Sequence, residues 1–539
     1  MNRPRFTNTG SKNCHLCVLS LVLCAVVLLC LSCGSGNKSS SLNADPPSTP
    51  LSATDVTNVV QNAVISVNQP MVVAVADRAG NILAVFKTAG APTTSIGNLG
   101  QVVAADELAV GLARTAAFFS NNQAPLSSRT VRFISGIHFP PGVTNTPNAD
   151  LYGIENTNRG CTLSTNFLPG QALNPSRSID GTTFGLGIIT GKADTNDDQP
   201  SAVNPGGVPL FNATGLVGGV GVVSTSLEVA EFAAFSGAKV SGFLPSISQL
   251  PPPGVVIIGG IALPFVDQTT LPTGTSAPGT LVGGSYSVPA VAGTLPPEGF
   301  LVGPNAGSAL SSSDVNEIIM NAVMTANETR AVIRLPPDSK AKMTIAVSDL
   351  DGTLLGLYRM TDGTIFSTDV AASKARNVVW FTTTGGSDLP GVPAGTAVTN
   401  RTISFGAQPL FPPGIDGSGD GPFFPLYLFD TANPCTQGPS SSAFPPNTNN
   451  MSGIVFFPGS LPLYRNGVLV GGLGVSGDGV DQDDFVTAGA VNAACTFGGP
   501  CGVPDFQAPA NIRADQVVIR RGSMNVRLPY QKFPRNPTD

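Results

Sequence analysis

The chain has 539 residues and only 12% of them are charged, about half the share usual in a soluble protein. Gly 62 and Pro 47 make up close to one residue in five, yet 42% of the chain is apolar, which excludes both a disordered polyelectrolyte and a collagen-like fibre and leaves room for roughly two to four domains. With 28 basic residues against 34 acidic ones and no basic run, nucleic acid is excluded as a main partner, because a phosphate-backbone binder needs the opposite sign.

The first element is a leader over residues 1–32. Arg3, Arg5, Lys12 and His15 form a positive n-region, followed by an apolar stretch from Val18 to Leu31. That stretch is shorter than the ~20 residues a membrane-spanning helix needs. It ends at Leu31-Ser32-Cys33-Gly34-Ser35-Gly36, which resembles a bacterial lipoprotein signal with Cys33 as the acylated residue. Cys30 stands where that pattern prefers Leu, and an ordinary cleaved secretory signal is the other reading. Both readings export the chain: to the cell envelope with a lipid anchor in the membrane, or to the periplasm or medium without one.

Export changes how the cysteines read. Five of nine lie in the leader, leaving Cys161, Cys435, Cys495 and Cys501. Cys495-Thr-Phe-Gly-Gly-Pro-Cys501 reads as a small disulfide-closed loop. Zinc is disfavoured, since no second close pair or histidine supplies the other ligands. Cys161 and Cys435 occupy similar places in two halves of the chain, and a bridge between them is one of the open connectivities.

Residues 33–50 are a Ser/Pro/Asn tether, flexible by composition. Leu51-Ser52-Ala53-Thr54-Asp55 then opens a helix whose apolar positions Val56, Val59, Val60, Ala63, Val64 and Val67 form one face. Leu310-Ser311-Ser312-Ser313-Asp314 opens another with the same offsets, at Val315, Ile318, Ile319, Ala322, Val323 and Ala326. The unit is written twice. Each helix is followed by a hairpin with an Asp-x-x-Gly turn, Met71–Phe86 and Met343–Tyr358, in which Asp bonds its own backbone and Gly takes positive φ. Second helices follow around Ala109–Phe119 and Ala371–Phe381. Loops come next, with Arg132–Gly142 aligned to Ser404–Gly414. A Gly-rich hairpin (205–222 and 458–475), a short helix (227–237 and 480–490) and a strand (255–258 and 517–519) complete each copy.

The fold class expected is α+β: two tandem copies of an antiparallel-sheet-plus-helices module, 51–266 and 310–539, packed as a pseudo-dimer. Between them, 267–309 is rich in Pro, Gly, Ser and Thr and reads as a linker or extended surface strap. The long irregular segments 142–204 and 385–452 read as binding surface or partial disorder.

The ordered motifs resemble the haem-binding family that includes the streptomycete haem-sensor proteins and the glycolate-operon G protein. Copy two carries Ala346-Val347-Ser348-Asp349-Leu350-Asp351-Gly352, then Arg359-Met360-Thr361-Asp362-Gly363, Lys374-Ala375, and Gly471-Gly472-Leu473-Gly474-Val475-Ser476-Gly477 before Asp481, Asp483 and Asp484. Copy one keeps the hairpin and Gly218–Val222, but has Phe86-Lys87-Thr88-Ala89-Gly90 for the Arg-Met stretch and Leu112 where copy two has Lys374. The resemblance therefore implies a haem or related tetrapyrrole ligand, carried more safely by copy two: Arg359 and Lys374 toward its carboxylates, Met360 beside them, Asp362 in the same loop. The alternative for the two cations is pairing with Asp362 or Asp369 on the surface. Homo-oligomerisation is left open.

Other constellations read less specifically. His138 is the sole histidine of the exported chain and the best conventional axial ligand for a haem iron; a locally bonded residue at a strand end before Pro140 is its bland reading, and its counterpart is Leu410. No Cys-x-x-Cys-His is present, so haem would be held non-covalently. Gly472-Leu-Gly474-Val-Ser-Gly477 fits G-x-G-x-x-G, but its strand pairs back through a hairpin, against a dinucleotide site. Asp478–Asp484 and Asp194–Asp198 lack calcium-loop spacing; acids at 481 and 484, as at Glu228 and Glu231, suit a helix N-terminus. No nucleophile elbow or metalloenzyme His pair is present, so catalysis is disfavoured. A non-enzymatic haem-binding protein is the leading reading. An envelope scaffold or adhesion module without a small ligand is second, and an enzyme acting on haem or another small molecule third.

Overall fold

The computed structural model describes residues 49–97, 102–134, 204–245, 255–258, 261–384, 387–408, 411–412, 419–433, 435–442, 450–492 and 506–538. Cys33, His138, Cys161, Cys495 and Cys501 lie outside the described residues. Helix α1 (Ala53–Ile65) and helix α5 (Ser312–Glu328) each begin with a capping box, Ser52 with Asp55 and Ser311 with Asp314. Such a box satisfies two orphan donors of the first turn reciprocally. The apolar faces expected of both helices are buried.

In copy one, β1 (Met71–Asp77) and β2 (Ile82–Lys87) form the first hairpin. A small hairpin, β3 (Thr94–Ile96) and β4 (Val102–Ala104), precedes α2 (Ala105–Phe119) and α3 (Ser128–Ile134). Strands β5 (Gly207–Asn212) and β6 (Gly215–Ser224) lead to α4 (Leu227–Val240) and the hairpin β7 (Val255–Ile258) with β8 (Ile261–Pro264). The connecting segment contributes β9 (Ser285–Val288) and β10 (Gly299–Val302).

Copy two repeats the plan. Strands β11 (Thr344–Ser348) and β12 (Leu354–Arg359) are followed by α6 (Ser367–Thr384), α7 (Asn400–Gly406) and α8 (Phe424–Ala432). Then come β13 (Ser460–Arg465), β14 (Val468–Ser476), α9 (Val480–Val491) and the hairpin β15 (Val518–Arg521) with β16 (Met524–Arg527). The sheet orders are β5-β6-β1-β2-β9 and β13-β14-β11-β12-β10, the same order twice, with every adjacent pair antiparallel. The α+β duplication expected from the sequence is the architecture observed.

The glycines of β6 and β14 explain why the second helix of each copy lies so close to its sheet. A Cβ on Gly219 or Gly221 would run into the carbonyl oxygens of Ala113 and Ala109, and one on Gly472 or Gly474 into those of Ala375 and Ala371. The G-x-G pattern thus seats a helix backbone on a strand, within an antiparallel hairpin that matches no dinucleotide fold. Two arginines at matched positions lock the arrangement: Arg114 Nε donates to Gly80 O at 2.9 Å, and Arg376 Nε to Gly352 O at 2.8 Å.

The connecting segment is a strap with its own repeat. Tyr286 of β9 meets Phe86 edge-on at 4.9 Å, and Phe300 of β10 meets Tyr358 edge-on at 5.0 Å. Thr294 N and Oγ1 donate to Asp77 Oδ2 at 2.9 and 3.1 Å. Ser308 N and Oγ donate to Asp349 at 2.7 and 2.6 Å. The first half of the strap closes the sheet edge of copy one and the second half that of copy two. Its low periodicity in sequence follows from its being edge strand and loop, largely exposed, with Leu301 and Val302 of β10 sunk into the core.

Three expectations change. The segment 385–452, read as irregular binding surface or partial disorder, carries α7 and α8, with Leu389, Phe423, Leu426 and Tyr427 buried. The aligned segments Arg132–Gly142 and Ser404–Gly414, read as loops, open inside the helices α3 and α7; Thr399 caps α7 through a capping box with Thr402, and Ile403 is fully buried. The acids of α9 are not caps. Gly479 is the N-cap with no side-chain bond, and the acids are drawn inward by buried cations described below.

Replacing Gly474 by Ala, or Gly221 by Ala in copy one, should lower unfolding free energy by about 1–3 kcal/mol, the usual cost of forcing a methyl group into packed backbone. Chemical denaturation of the purified chain measures it, and an unchanged midpoint would contradict this packing account.

Candidate functional site

The loop between β12 and α6 carries most of the motif residues. Gly363 N donates to Met360 O at 2.9 Å, closing a turn in which Asp362 takes a φ of 58°. Asp tolerates this left-handed conformation better than most residues because its short side chain bonds locally. Here the carboxylate is fully enclosed and reaches two cations. Arg78 Nη2 lies 2.5 Å from Asp362 Oδ1, and Arg334 Nη1 lies 2.5 Å from Asp362 Oδ2. Asn122 N donates to Oδ2 at 3.0 Å.

Arg78 and Asn122 belong to copy one, so this loop is the seam between the copies. Ile365 N donates to Phe118 O at 3.1 Å, and Phe366 stacks on Phe119 with centroids 4.4 Å apart and 13° between planes. Arg334 comes from an expansion peculiar to copy two: Thr329–Met343 joins α5 to β11, where copy one uses only Ser66–Pro70. The guanidinium also binds Asp478, which accepts from Lys342 N at 2.6 Å. Burial alone would raise the Asp362 carboxyl; Arg78 and Arg334 more than offset this and hold it below its ordinary value.

Arg359 is fully buried, donating from Nε to Gly363 O at 2.8 Å and from Nη1 to Pro297 O at 3.0 Å. Burial, together with the nearby Arg78 cation, pulls it down to about 9. Met360 Sδ accepts from Met343 N at 3.3 Å. Thus Arg359, Met360 and Asp362 share one loop. Lys374 lies apart from them, on α6, with Nζ 2.9 Å from Asp483 Oδ2 on α9 and 2.7 Å from Val475 O, and 4.8 Å from the centre of the Phe457 ring. Burial pushes the Lys374 ammonium down and the Asp483 carboxyl up to about 7, each opposed by the other's charge. Neither cation pairs with Asp362 or Asp369 at the surface: both are buried and already bonded to other acceptors.

The remaining acids of α9 serve Arg401 on α7. Its guanidinium binds Asp481 and lies 2.5 Å from Asp484. Copy one repeats the pair as Arg129 with Glu231 at 2.6 Å. The sequence reading missed Arg78, Arg129, Arg334 and Arg401. A signal existed for one pair only: Arg129 and Arg401 precede the aligned Arg132 and Ser404 by the same three residues.

The copies part company around Lys374. Gly206 of copy one has Val222 O, Ala230 and Leu112 about it; Gly459 of copy two has Val475 O, Asp483 and Lys374. Leu112 and Ala230 therefore stand where Lys374 and Asp483 stand. The substitution extends outward: Val72 and Val223 are register partners in copy one as Thr344 and Ser476 are in copy two, and Ala105 opens α2 where Ser367 opens α6. Ser367 Oγ bonds Thr364 Oγ1 at 2.8 Å and accepts from Ser476 Oγ at 3.2 Å. Thr344 Oγ1, Thr368 Oγ1 and Asp483 Oδ1 are buried without a protein partner, and such atoms mark places where a bound molecule or water completes the bonding. In copy one the same region is an apolar cluster of Val72, Ala105, Leu112 and Val223.

Tested against a haem, the described residues fit in part. Copy two supplies buried cations and unsatisfied hydroxyls, but Arg359 and Lys374 form no open seat for two propionates, and no described residue is a histidine. Among the described residues no group of three His, Cys, Asp or Glu side chains could hold a metal ion, and no helix is long and apolar enough to cross a membrane.

Residues 310–492 match the family model described as "Haem degrading protein HbpS-like". The resemblance read from the motifs is thus borne out over copy two. Similar solved structures include a Klebsiella pneumoniae protein, ORFY (18% identity, 34% of this chain and 90% of that one, TM-score 0.22). A PduOC:heme complex is similar at 22% identity, covering 34% and 92%, TM-score 0.21. A double mutant of the Streptomyces reticuli HbpS is similar at 18%, covering 34% and 88%, TM-score 0.19. No curated protein matches the chain.

Asp362→Ala leaves Arg78 and Arg334 facing each other in the interior and should cost about 3–5 kcal/mol. The depressed Asp362 pKa also gives a sign. Its contribution is fully present above 3.8, the unfolded value, and is lost as pH falls through the lower folded value. Denaturation midpoints measured from pH 5 downward should fall for the wild type and fall less steeply for Asp362→Asn.

Proposed function

We propose that this chain is an exported haem-binding protein whose second module holds the ligand non-covalently. The observation that carries the reading is a coincidence of place. The HbpS-like match covers 310–492, the same copy in which Thr344, Ser367, Lys374, Ser476 and Asp483 replace an apolar cluster. The PduOC neighbour was solved with haem bound, which agrees with a tetrapyrrole as the ligand class. We assign the loop Arg359-Met360-Thr361-Asp362 and Lys374 to the ligand site of copy two; His138 lies in copy one.

Titration of the purified chain with hemin tests this. Saturable growth of a Soret band is expected, unshifted in His138→Ala; a shifted band in that variant would place the iron at copy one instead. A wild type with no saturable binding would leave the scaffold reading. The family's description as haem degrading favours a second reading, in which the bound haem is degraded. A Soret band stable for hours in air with a reductant present argues for storage or transfer, and steady bleaching for degradation.

The leader supports export and anchoring through Cys33. Cys33→Ala should move the protein from the membrane to the soluble fraction, and a wild type already soluble after export would sink the anchor. The exported protein, alkylated without reductant and weighed intact, should show Cys495 and Cys501 unlabelled because they are bridged.

A further inference from the structure

We propose that ligand binding is confined to the second module, at one ligand per chain, and that the first module has become its built-in subunit, with Arg78 positioning the Asp362 loop. The inference rests on the haem reading above and adds to it where the ligand goes and what the other copy is for.

The first argument is substitution at matched positions. Five polar residues of copy two, Thr344, Ser367, Lys374, Ser476 and Asp483, correspond to Val72, Ala105, Leu112, Val223 and Ala230. Copy one keeps the helix seat, the Gly-x-Gly strand and the Arg129–Glu231 pair, so its fold is intact. What it lacks are these five polar groups, although at the position of Thr368 it carries Asp106, paired with Lys87 at 2.5 Å. An apolar, close-packed interior has no donor or acceptor with which to orient a charged ligand edge.

The second argument is that the ion pair across the seam has no reverse counterpart, although copy two also gives Leu335 N and Arg334 Nη1 to Gln123 of copy one at 3.2 and 3.4 Å. Copy one gives Arg78, Asn122 N and Phe118 O to the loop of copy two. By strand register, Lys87 matches Arg359, which places Gly90 opposite Asp362. Leu350 matches Arg78 in the turn and is 42% exposed. The reverse ion pair therefore has neither of its partners. Copy one holds the motif loop of copy two in its left-handed turn, and copy two has no equivalent group with which to return the contact. Arg78 reaches no ligand in this scheme; it acts through Asp362 on the loop that carries Arg359 and Met360.

The experiment is a hemin titration of the full chain against a protein concentration fixed by amino-acid analysis. One equivalent is expected for the wild type. The double variant Lys374→Leu/Asp483→Ala, which installs the copy-one residues, should weaken binding at least tenfold while circular dichroism and the thermal midpoint stay at or above wild type. Arg78→Leu, the residue copy two carries there, should weaken binding about five- to tenfold and broaden the Soret band, and Arg78→Lys should recover most of the loss. Two equivalents per wild-type chain would overturn the inference and leave the haem reading standing. No saturable binding would overturn both. One equivalent with affinity unmoved by the Lys374/Asp483 exchange would place the ligand outside the second module's interior, and one unmoved by Arg78→Leu would remove the positioning role.

Discussion

A single buried carboxylate, Asp362, is the interaction on which the joining of the two copies turns. Placing an ionised group in the interior is costly unless it is paired and fully hydrogen-bonded. The Asp362 carboxylate meets that demand by drawing on Arg78 and Asn122 from copy one and Arg334 from the copy-two expansion, while its backbone N–H donates to Glu298 Oε1 of the strap at 2.9 Å. None of these contacts is local. Each also depends on the others, because Arg334 continues to Asp478 and thereby fixes the entrance to α9. The apolar core follows the same seam: Phe118 and Phe119 of copy one cluster with Ile365, Phe366 and Val370 of copy two.

This dependence explains what the sequence could and could not disclose. The duplication was legible because it is written in periodicity: Val56 to Val67 and Val315 to Ala326 share spacing, and the Gly-x-Gly strands share a steric requirement that no other residue meets. Copy-two Lys374 was legible by contrast with Leu112. The seam was not, because Arg78, Arg334 and Asp362 are far apart in sequence and each looks like a solvated surface charge in a chain with few of them. The strap was hidden for another reason. Its repeat lies in Tyr286 with Thr294 and Phe300 with Ser308, pairs whose meaning depends on Phe86, Asp77, Tyr358 and Asp349 across the sheet edge. The acids of α9 were misread as caps for the same cause: helix-start acids look alike whether they face a dipole or a buried guanidinium.

The contrast between the copies also has an energetic direction. Exchanging a buried ion pair for apolar residues of similar volume is often neutral or stabilising, so Leu112 with Ala230 is the inexpensive solution to the space that Lys374 and Asp483 fill. Copy one has taken it, and its region closes as a continuous apolar cluster. Copy two keeps a lysine and an aspartate whose burial drives both toward their neutral forms, and it leaves Thr344, Thr368 and Asp483 with unsatisfied polar atoms. Stability alone does not account for that choice, given that the other copy shows the fold closing without it. A fold that carries both solutions side by side separates the residues needed for folding, which the copies share, from those retained for something else, which only copy two keeps.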